Sequence, residues 1–258
     1  MAYDFDGREY EKASTHQKEW GNSVIATLEF RGDERILDLG CGDGLLTSRL
    51  ADHVPGGEVV GIDSSRGMIE AAREKKRPNI RFMLLDINDI EFDEEFDVVF
   101  SNATLHWIKD HRKLLRNVAN ALRPDGRVRF NFAAVGNCSH FIRVMREAMN
   151  REPFSDCFRG FSWPWFMPSL QAYQSLTAES PLREVRVWCE NADRYFPDVE
   201  TMVRWIDRPS LVPFIPLFKK DQREAFRSFV INRMIELTRQ NNGTCFETFR
   251  RVNLVARK

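Results

Sequence analysis

No run in the 258 residues approaches 18 apolar positions, so nothing reads as a membrane span. Neither charge is in surplus, since 38 Lys plus Arg balance 38 Asp plus Glu. A general nucleic-acid binder carries a basic excess, and its absence argues against that class of partner. Cysteine is sparse: the five residues at 41, 138, 157, 189 and 245 include no C-x-x-C pair. That excludes a disulfide framework and a cysteine-built zinc or iron–sulfur site; free thiols in a reducing, cytoplasmic setting are the expectation, with no metal. Met1 to Asp6 lack a basic stretch followed by an apolar one, which reads as no secretory signal. No internal repeat or low-complexity tract occurs, and charged runs such as 73–77 read as solvated helix faces.

What is present is a glycine loop. Residues 35–44 read Arg-Ile-Leu-Asp-Leu-Gly-Cys-Gly-Asp-Gly, with glycines at 40, 42 and 44. An apolar strand runs into a turn stripped of side chains, and an amphipathic helix starting at Leu45 aims its N-terminus into the same space. Two ligands fit such a turn. The dinucleotide fingerprint G-x-G-x-x-G needs its third glycine where this chain has Leu45. The spacing G-x-G-x-G differs from it by one residue. Cys41 reads as a small residue beside a ligand, because no cation lies near it in sequence to activate a thiolate.

From 35 to 134 the chain alternates. Strands are expected at 35–39, 58–62, 80–85, 96–101 and 127–133, with helices at 45–52, 66–76 and 112–122, so the fold class is α/β with a largely parallel sheet. Residues 1–30 read as helical. Beyond 134 the composition changes: 12 of the 20 Phe and 4 of the 6 Trp lie in 135–250. Two stretches, 136–167 and 198–242, lack regular strand rhythm and read as an aromatic lid inserted into one domain spanning 1–258. A helix near 168–178, a strand near 183–190 and a terminal strand from 250 complete the chain.

In an open α/β sheet, ligands lie beyond the carboxyl ends of the strands. The second strand ends in Asp63-Ser64, 23 residues after Gly40 in the case of Asp63. An acidic residue about 20 positions on accepts hydrogen bonds from ribose hydroxyls; an ordinary helix cap is the plainer use of the same residue. The third strand ends Asp86-Ile87, and the fourth runs into Ser101-Asn102-Ala103-Thr104-Leu105-His106-Trp107.

Asp38-Leu39-Gly40-Cys41-Gly42-Asp43-Gly44, with these strand ends in order, resembles the class I S-adenosylmethionine-dependent methyltransferases. The resemblance implies a Rossmann-like sheet, mostly parallel with an antiparallel last strand, and S-adenosylmethionine as cofactor. It implies that Asp38, Gly40, Cys41, Gly42, Gly44, Asn102 and Ala103 surround the methionine end of the cofactor. By the same resemblance Asp63 and Ser64 take the ribose, Met68 packs on adenine, and Asp86 with Ile87 takes the adenine edge.

A narrower likeness extends over the whole length, weakly in 136–197. Residues 61–65, Met68, 101–103, Leu105, Trp107, 110–111 and 255–257 are similar to the trans-aconitate methyltransferases. Tyr10, 17–18, 100–101, 105–108 and Asp110 are similar to insect juvenile hormone acid methyltransferase. Both esterify a small free acid, so Tyr10, Gln17 and Trp107 are the expected acceptor-site residues, with Gln17, Trp107 and His106 as candidate catalytic residues. No Pro-Pro-aromatic motif stands at 101–104 and no Pro-Cys pair exists, which argues against DNA methylation. A small-molecule carboxylic acid is the expected partner, either trans-aconitate-like or an apolar monoacid; the oligomeric state is left open. N- or C-methylation of a small molecule, methyl ester formation on a malonyl carrier protein, cofactor binding without turnover and NAD chemistry are the alternatives. His106 and His111 could act as bases on a hydroxyl or amine. Arg143, Arg159, Arg194, Arg204 and Arg208 could meet a second carboxylate.

Overall fold

In β1 (Arg35–Leu39) successive apolar side chains point to opposite faces of the sheet. Leu37 and Leu39 enter one core with Val60, Ile62 and Val99; Ile36 enters another with Val59, Val98 and Phe100. A strand apolar on both faces belongs at the centre of a sheet covered on both sides. The computed structural model puts β1 there. It describes residues 15–258, with the backbone alone for Thr15–Glu19 and Pro209. Tyr10 and the side chain of Gln17 lie outside the described residues.

The described residues divide into two compact units. The first comprises the chain up to Ala134, Trp165–Glu190 and Arg251–Lys258. It holds β1, β2 (Glu58–Asp63), β3 (Ile80–Leu84), β4 (Phe96–Asn102), β5 (Leu122–Ala133), β6 (Arg183–Asn191) and β9 (Arg250–Arg257) in the order β3-β2-β1-β4-β5-β9-β6. Pairing is parallel from β3 to β5, and β9 runs antiparallel to β5. The Rossmann-like sheet with an antiparallel last strand is therefore observed. Helices α4 (His111–Ala121) and α6 (Leu170–Ala178) cover one face through Leu114, Leu115, Val118 and Tyr173. Helices α1 (Thr15–Ile25) and α2 (Leu45–His53) cover the other through Val24, Ile25, Leu50 and Ala51. Helix α3 is Arg66–Arg73.

Three of the boundaries that differ from expectation have a visible local cause. Helix α1 stops at Ile25, where Thr27 and Leu28 amides fall back to the carbonyls of Val24 and Ile25 and the Thr27 hydroxyl takes the Val24 carbonyl again. Strand β5 begins at Leu122, since Leu122 pairs with Phe96 before a register shift leads to Arg127 opposite Val98. Residues 165–167 run with the first unit: Phe166 N–H donates to the His106 carbonyl (2.7 Å), and Lys109 Nζ to the Trp165 carbonyl (3.1 Å).

The second unit comprises Val135–Pro164 and Asn191–Arg250, and so takes in most of both expected insertions. It contains α5 (Ser139–Met149), α7 (Val199–Trp205), α8 (Arg223–Thr238) and the two-stranded pair β7 (Arg194–Phe196) and β8 (Cys245–Glu247). Helix α8 was masked in sequence by neighbouring prolines, although Phe226, Val230, Met234 and Thr238 form a buried stripe at four-residue steps. Aromatic side chains fill this unit: Phe218 stacks on Phe226 at 4.0 Å, with Phe154 and Phe158 around them. The buried Glu247 carboxylate accepts the His140 and Phe141 amides (3.2 and 3.0 Å), satisfying orphan donors at the start of α5.

Leu37→Ala should lower the unfolding free energy by about 2–5 kcal/mol, because the side chain is fully enclosed. Arg204→Ala, which breaks an exposed pair with Glu200, should cost less than about 1 kcal/mol. Urea unfolding of both variants measures the contrast.

Candidate functional site

The chain steps outward from β1 to β2 and β3, then returns to β4 on the other side of β1. Strand order reverses between β1 and β4, so the crevice of an open α/β sheet opens at their carboxyl ends. The glycine loop leaves β1 there. Gly40, Gly42 and Gly44 all adopt positive φ (72°, 55° and 77°). Side chains are excluded at Gly40 for two reasons: its φ, and Thr104, whose methyl lies 2.1 Å from where a Cβ would stand. Gly42 faces open space: among the described residues nothing lies within 4 Å of where its Cβ would stand.

The loop is pinned from β2. The Ile62 carbonyl accepts the Gly40 and Cys41 amides (2.8 and 2.9 Å). One oxygen of Asp63 accepts the Gly42 amide (3.0 Å) and the other the Ser65 amide (2.8 Å). Asp63 thus joins the β1 turn to the β2 turn, with Ser64 between it and Ser65 in the second. Burial pushes its carboxyl up, partly offset by the amides of Ser65, Gly42 and Ser64.

Asp38 lies below the turn. It accepts from the Thr47 hydroxyl of α2 at 2.7 Å, and burial pushes it up to about 7. Cys41 is buried, and loss of water pushes its thiol well above the ordinary value; it is no nucleophile at neutral pH. Met68 is buried on α3, whose start is capped by Ser65 Oγ accepting the Met68 amide (3.3 Å). Asp86 accepts both the amide and the side-chain N–H of Asn88 at 2.8 Å, capping a short 3-10 turn, while the Ile87 side chain enters the sheet core.

The loop after β4 carries the candidate acceptor residues. Asn102 is buried, and Ala103 takes a positive φ of 57° while its amide donates to the Asn131 carbonyl (2.7 Å). Thr104 Oγ1 donates to the Gly40 carbonyl (3.1 Å), tying this loop to the glycine turn. A 3-10 turn, Leu105–Trp107, follows. Trp107 meets the edge of Trp165 at 5.7 Å and lies 5.5 Å from the His106 ring. Burial, reinforced by the Arg251 charge, pulls His106 down to about 3; its Nδ1 is enclosed with no hydrogen-bond partner among the described residues. His111 is the first residue of α4. It bonds to the Leu105 carbonyl (3.0 Å) and to the Tyr173 hydroxyl (3.2 Å), and burial holds it at about 4.

Gln17 belongs to α1. Of the five arginines expected to meet a second carboxylate, Arg143 pairs with Glu147, Arg159 with Asp156 and Arg204 with Glu200, all at the surface. The sequence reading missed a buried polar group on β5 and β9. Arg251 donates from Nε to Asn131 Oδ1 (2.8 Å) and stacks over Trp20 at 4.8 Å; Asn131 donates to Asn253 Oδ1 (2.8 Å), which also receives Arg129 (3.0 Å). Among the described residues no cluster of His, Cys, Asp or Glu could hold a metal ion, and no helix is long and apolar enough to cross a membrane.

Residues 36–126 match a family model described as a methyltransferase domain. Over its whole length the chain is similar to trans-aconitate 2-methyltransferase of Acidovorax ebreus, at 26% identity over 99% of each chain. Among solved structures it is similar to the YcgJ protein of Bacillus subtilis, with a TM-score of 0.62 and 21% identity over 93% of this chain and 98% of the other. It is likewise similar to phosphoethanolamine N-methyltransferase 2 of Haemonchus contortus in complex with phosphomonomethylethanolamine and S-adenosylhomocysteine. There the TM-score is 0.61 and the identity 19%, over 98% of this chain and 57% of that one. The solved structures share the fold. The residues present suit an adenosyl sulfonium: a bare turn open at Gly42, and a carboxylate at the end of the adjacent strand.

Gly42→Ala should leave the protein folded, at a cost of about 1–2 kcal/mol for the left-handed backbone. Its S-adenosylmethionine affinity should fall at least about tenfold, read by calorimetry, since the new methyl occupies the open volume. Asp38 generates a pH effect. Between about pH 4 and pH 7 the folded protein keeps a proton that the unfolded chain releases, so stability falls as pH rises, by on the order of 1.4 kcal/mol per unit. Asp38→Asn should flatten that slope in urea titrations of the ligand-free protein.

Proposed function

The chain is a methyltransferase that uses S-adenosylmethionine, and we propose that the methyl group goes to a carboxylate oxygen of a small organic acid. One observation carries the choice of acceptor. The two histidines flanking the β4 loop are held at about 3 and about 4, so both are weak bases at neutral pH. An amine or hydroxyl acceptor must lose a proton to something. A carboxylic acid with a pKa near 4 is already ionised. The whole-length likeness to trans-aconitate 2-methyltransferase supports the same reading.

In this reading the cofactor supplies an electrophilic sulfonium methyl. The Gly40–Gly44 main chain, with Asp38 bracing it through Thr47 and Cys41 filling the space behind it, holds the methionine end together with Asn102 and Ala103. Asp63 and Ser64 take the ribose. Met68, Asp86 and Ile87 border the adenine. Gln17 and Trp107 orient the acceptor carboxylate by neutral N–H donors, which leave its lone pairs nucleophilic where an arginine would blunt them. Tyr10 completes the acceptor site. His106 stays neutral and serves as a hydrogen-bonding group. Methyl transfer neutralises carboxylate and sulfonium together, so excluding water and fixing the line of approach supply most of the acceleration.

Purified protein incubated with methyl-labelled S-adenosylmethionine and a panel of acids and amines should give a base-labile methyl ester. Gln17→Ala and Trp107→Phe should each cut kcat/KM for the acid by about tenfold or more while leaving cofactor affinity unchanged. A base-stable product, or full turnover in both variants, would overturn the assignment.

A further inference from the structure

The amino ends of the parallel strands border a cavity of about 400 Å³. Its wall takes in Glu29 and Arg31 ahead of β1, Asp97 of β4, residues 124–127 of β5 and Arg257 of β9. All of these residues belong to the first unit. The glycine turn leaves the opposite, carboxyl ends of the same sheet. The seven residues of β4 separate the two ends by about 20 Å, at roughly 3.3 Å per residue. Methyl transfer at the crevice makes no use of this second cavity. Its volume falls in the range of small-molecule sites.

Arg127 and Arg257 stand directly opposite each other in the antiparallel register of β5 and β9. Like charges in that position repel, with Cβ atoms only about 5 Å apart. Among the described residues no carboxylate is shared between them. Arg257 pairs through Nε with Glu184 of β6 (3.0 Å), and its two terminal nitrogens donate no hydrogen bond to a described residue. Arg127 commits Nη2 to the Glu29 carbonyl (2.8 Å) and lies 3.5 Å from Glu34. That buried carboxylate already accepts the Arg31 and Gly32 amides. The acids of the wall are engaged elsewhere. Asp97 accepts the Arg35 amide and Arg123 Nη1, both at 2.8 Å, and Asp125 accepts Arg183 Nη2 at 2.7 Å. Arg31 brings a third guanidinium, 3.5 Å from Asp97. The Glu29 side chain is exposed, and no described residue pairs with its carboxylate.

We propose that this cavity is an anion site in which the Arg127 and Arg257 guanidiniums close on a phosphate dianion, whether inorganic phosphate or the phosphate group of a small phosphomonoester. Two facing cations without a common acid are neutralised by one dianion, and a planar guanidinium fork matches the spacing of phosphate oxygens. A single carboxylate would neutralise half of the pair. Glu29 opposes the incoming charge and holds the affinity down. The site is separate from the crevice, so phosphate and cofactor bind together.

Calorimetry at fixed ionic strength tests this, with the crevice saturated by S-adenosylhomocysteine and the pH at about 8, where phosphate is a dianion. The titrants are inorganic phosphate, phenyl phosphate and acetate. Both phosphates should bind saturably with a Kd of about 1 mM or tighter, and acetate at least about tenfold more weakly. Tighter binding of phenyl phosphate supports an organic phosphomonoester as the ligand; equal affinity supports free phosphate. Arg127→Gln and Arg257→Gln should each weaken phosphate binding by about 10- to 100-fold, the range for one charge-assisted contact. Glu29→Gln should tighten it by about two- to fivefold. S-adenosylmethionine affinity and turnover should stay unchanged in all three variants. Should an arginine variant fail to fold, the wild-type amide spectrum decides: phosphate should shift Gly126, Arg127 and Arg257 and leave residues 40–44 in place. Four results would each overturn the proposal: no saturable binding up to about 50 mM phosphate, acetate binding as tightly as phosphate, unchanged affinity in both arginine variants, or shifts confined to the glycine turn.

Discussion

Everything in the first unit depends on the hydrogen bonds that hold the β1 turn against the end of β2. Ile62 offers one carbonyl to two amides, and Asp63 spans from Gly42 to Ser65. These bonds satisfy a backbone in which glycines take left-handed conformations and contribute no side chain to packing. The turn is thereby fixed behind, while among the described residues nothing fills the space in front of Gly42. Thr104 extends the constraint to the β4 loop, so the glycine turn and that loop are joined through one glycine carbonyl.

The chemistry asked of this arrangement is modest, and that is consistent with its electrostatics. Buried groups near the turn are biased toward their neutral forms: Asp38 is raised to about 7, His106 is lowered to about 3, and the Cys41 thiol is raised. Burial disfavours charge in each case. A site of this kind is poor at moving protons. The proposed carboxyl methylation asks it only to bring an anion and a sulfonium together, whose attraction is stronger away from water than in solution.

Much of the sheet was legible because β1, β2 and β4 are apolar on both faces and bounded by turns. Expectation and structure agree at 35–39 and differ by one residue at the ends of β2 and β4. The start of β5 was not legible, since Pro124-Asp125-Gly126 reads as a turn although Leu122 already pairs with Phe96. Helix α8 was obscured by the prolines at 209, 213 and 216 that precede it. Arg251 was missed for a different reason. Arg-Arg-Val-Asn-Leu-Val-Ala has the alternation of a half-exposed strand, so Arg251 and Asn253 read as its wet face. In the fold, α1 covers that face and buries both. Only tertiary packing distinguishes a solvated arginine from an enclosed one. Candidate residues that came from strand-end position, such as Asp63 and Asn102, are found at those ends; Tyr10 and the Gln17 side chain lie outside the described residues.

The central claim is that bare main chain at the first strand–helix junction, with a carboxylate one strand over, holds the cofactor. Amide hydrogen exchange with and without S-adenosylhomocysteine tests it most directly. The account predicts that slowed exchange concentrates in residues 40–45, 63–68 and 101–104, with little change on α4 and α6 across the sheet. Unchanged exchange at 40–45 and 63–68 under saturating ligand, or protection confined to other segments, would contradict it.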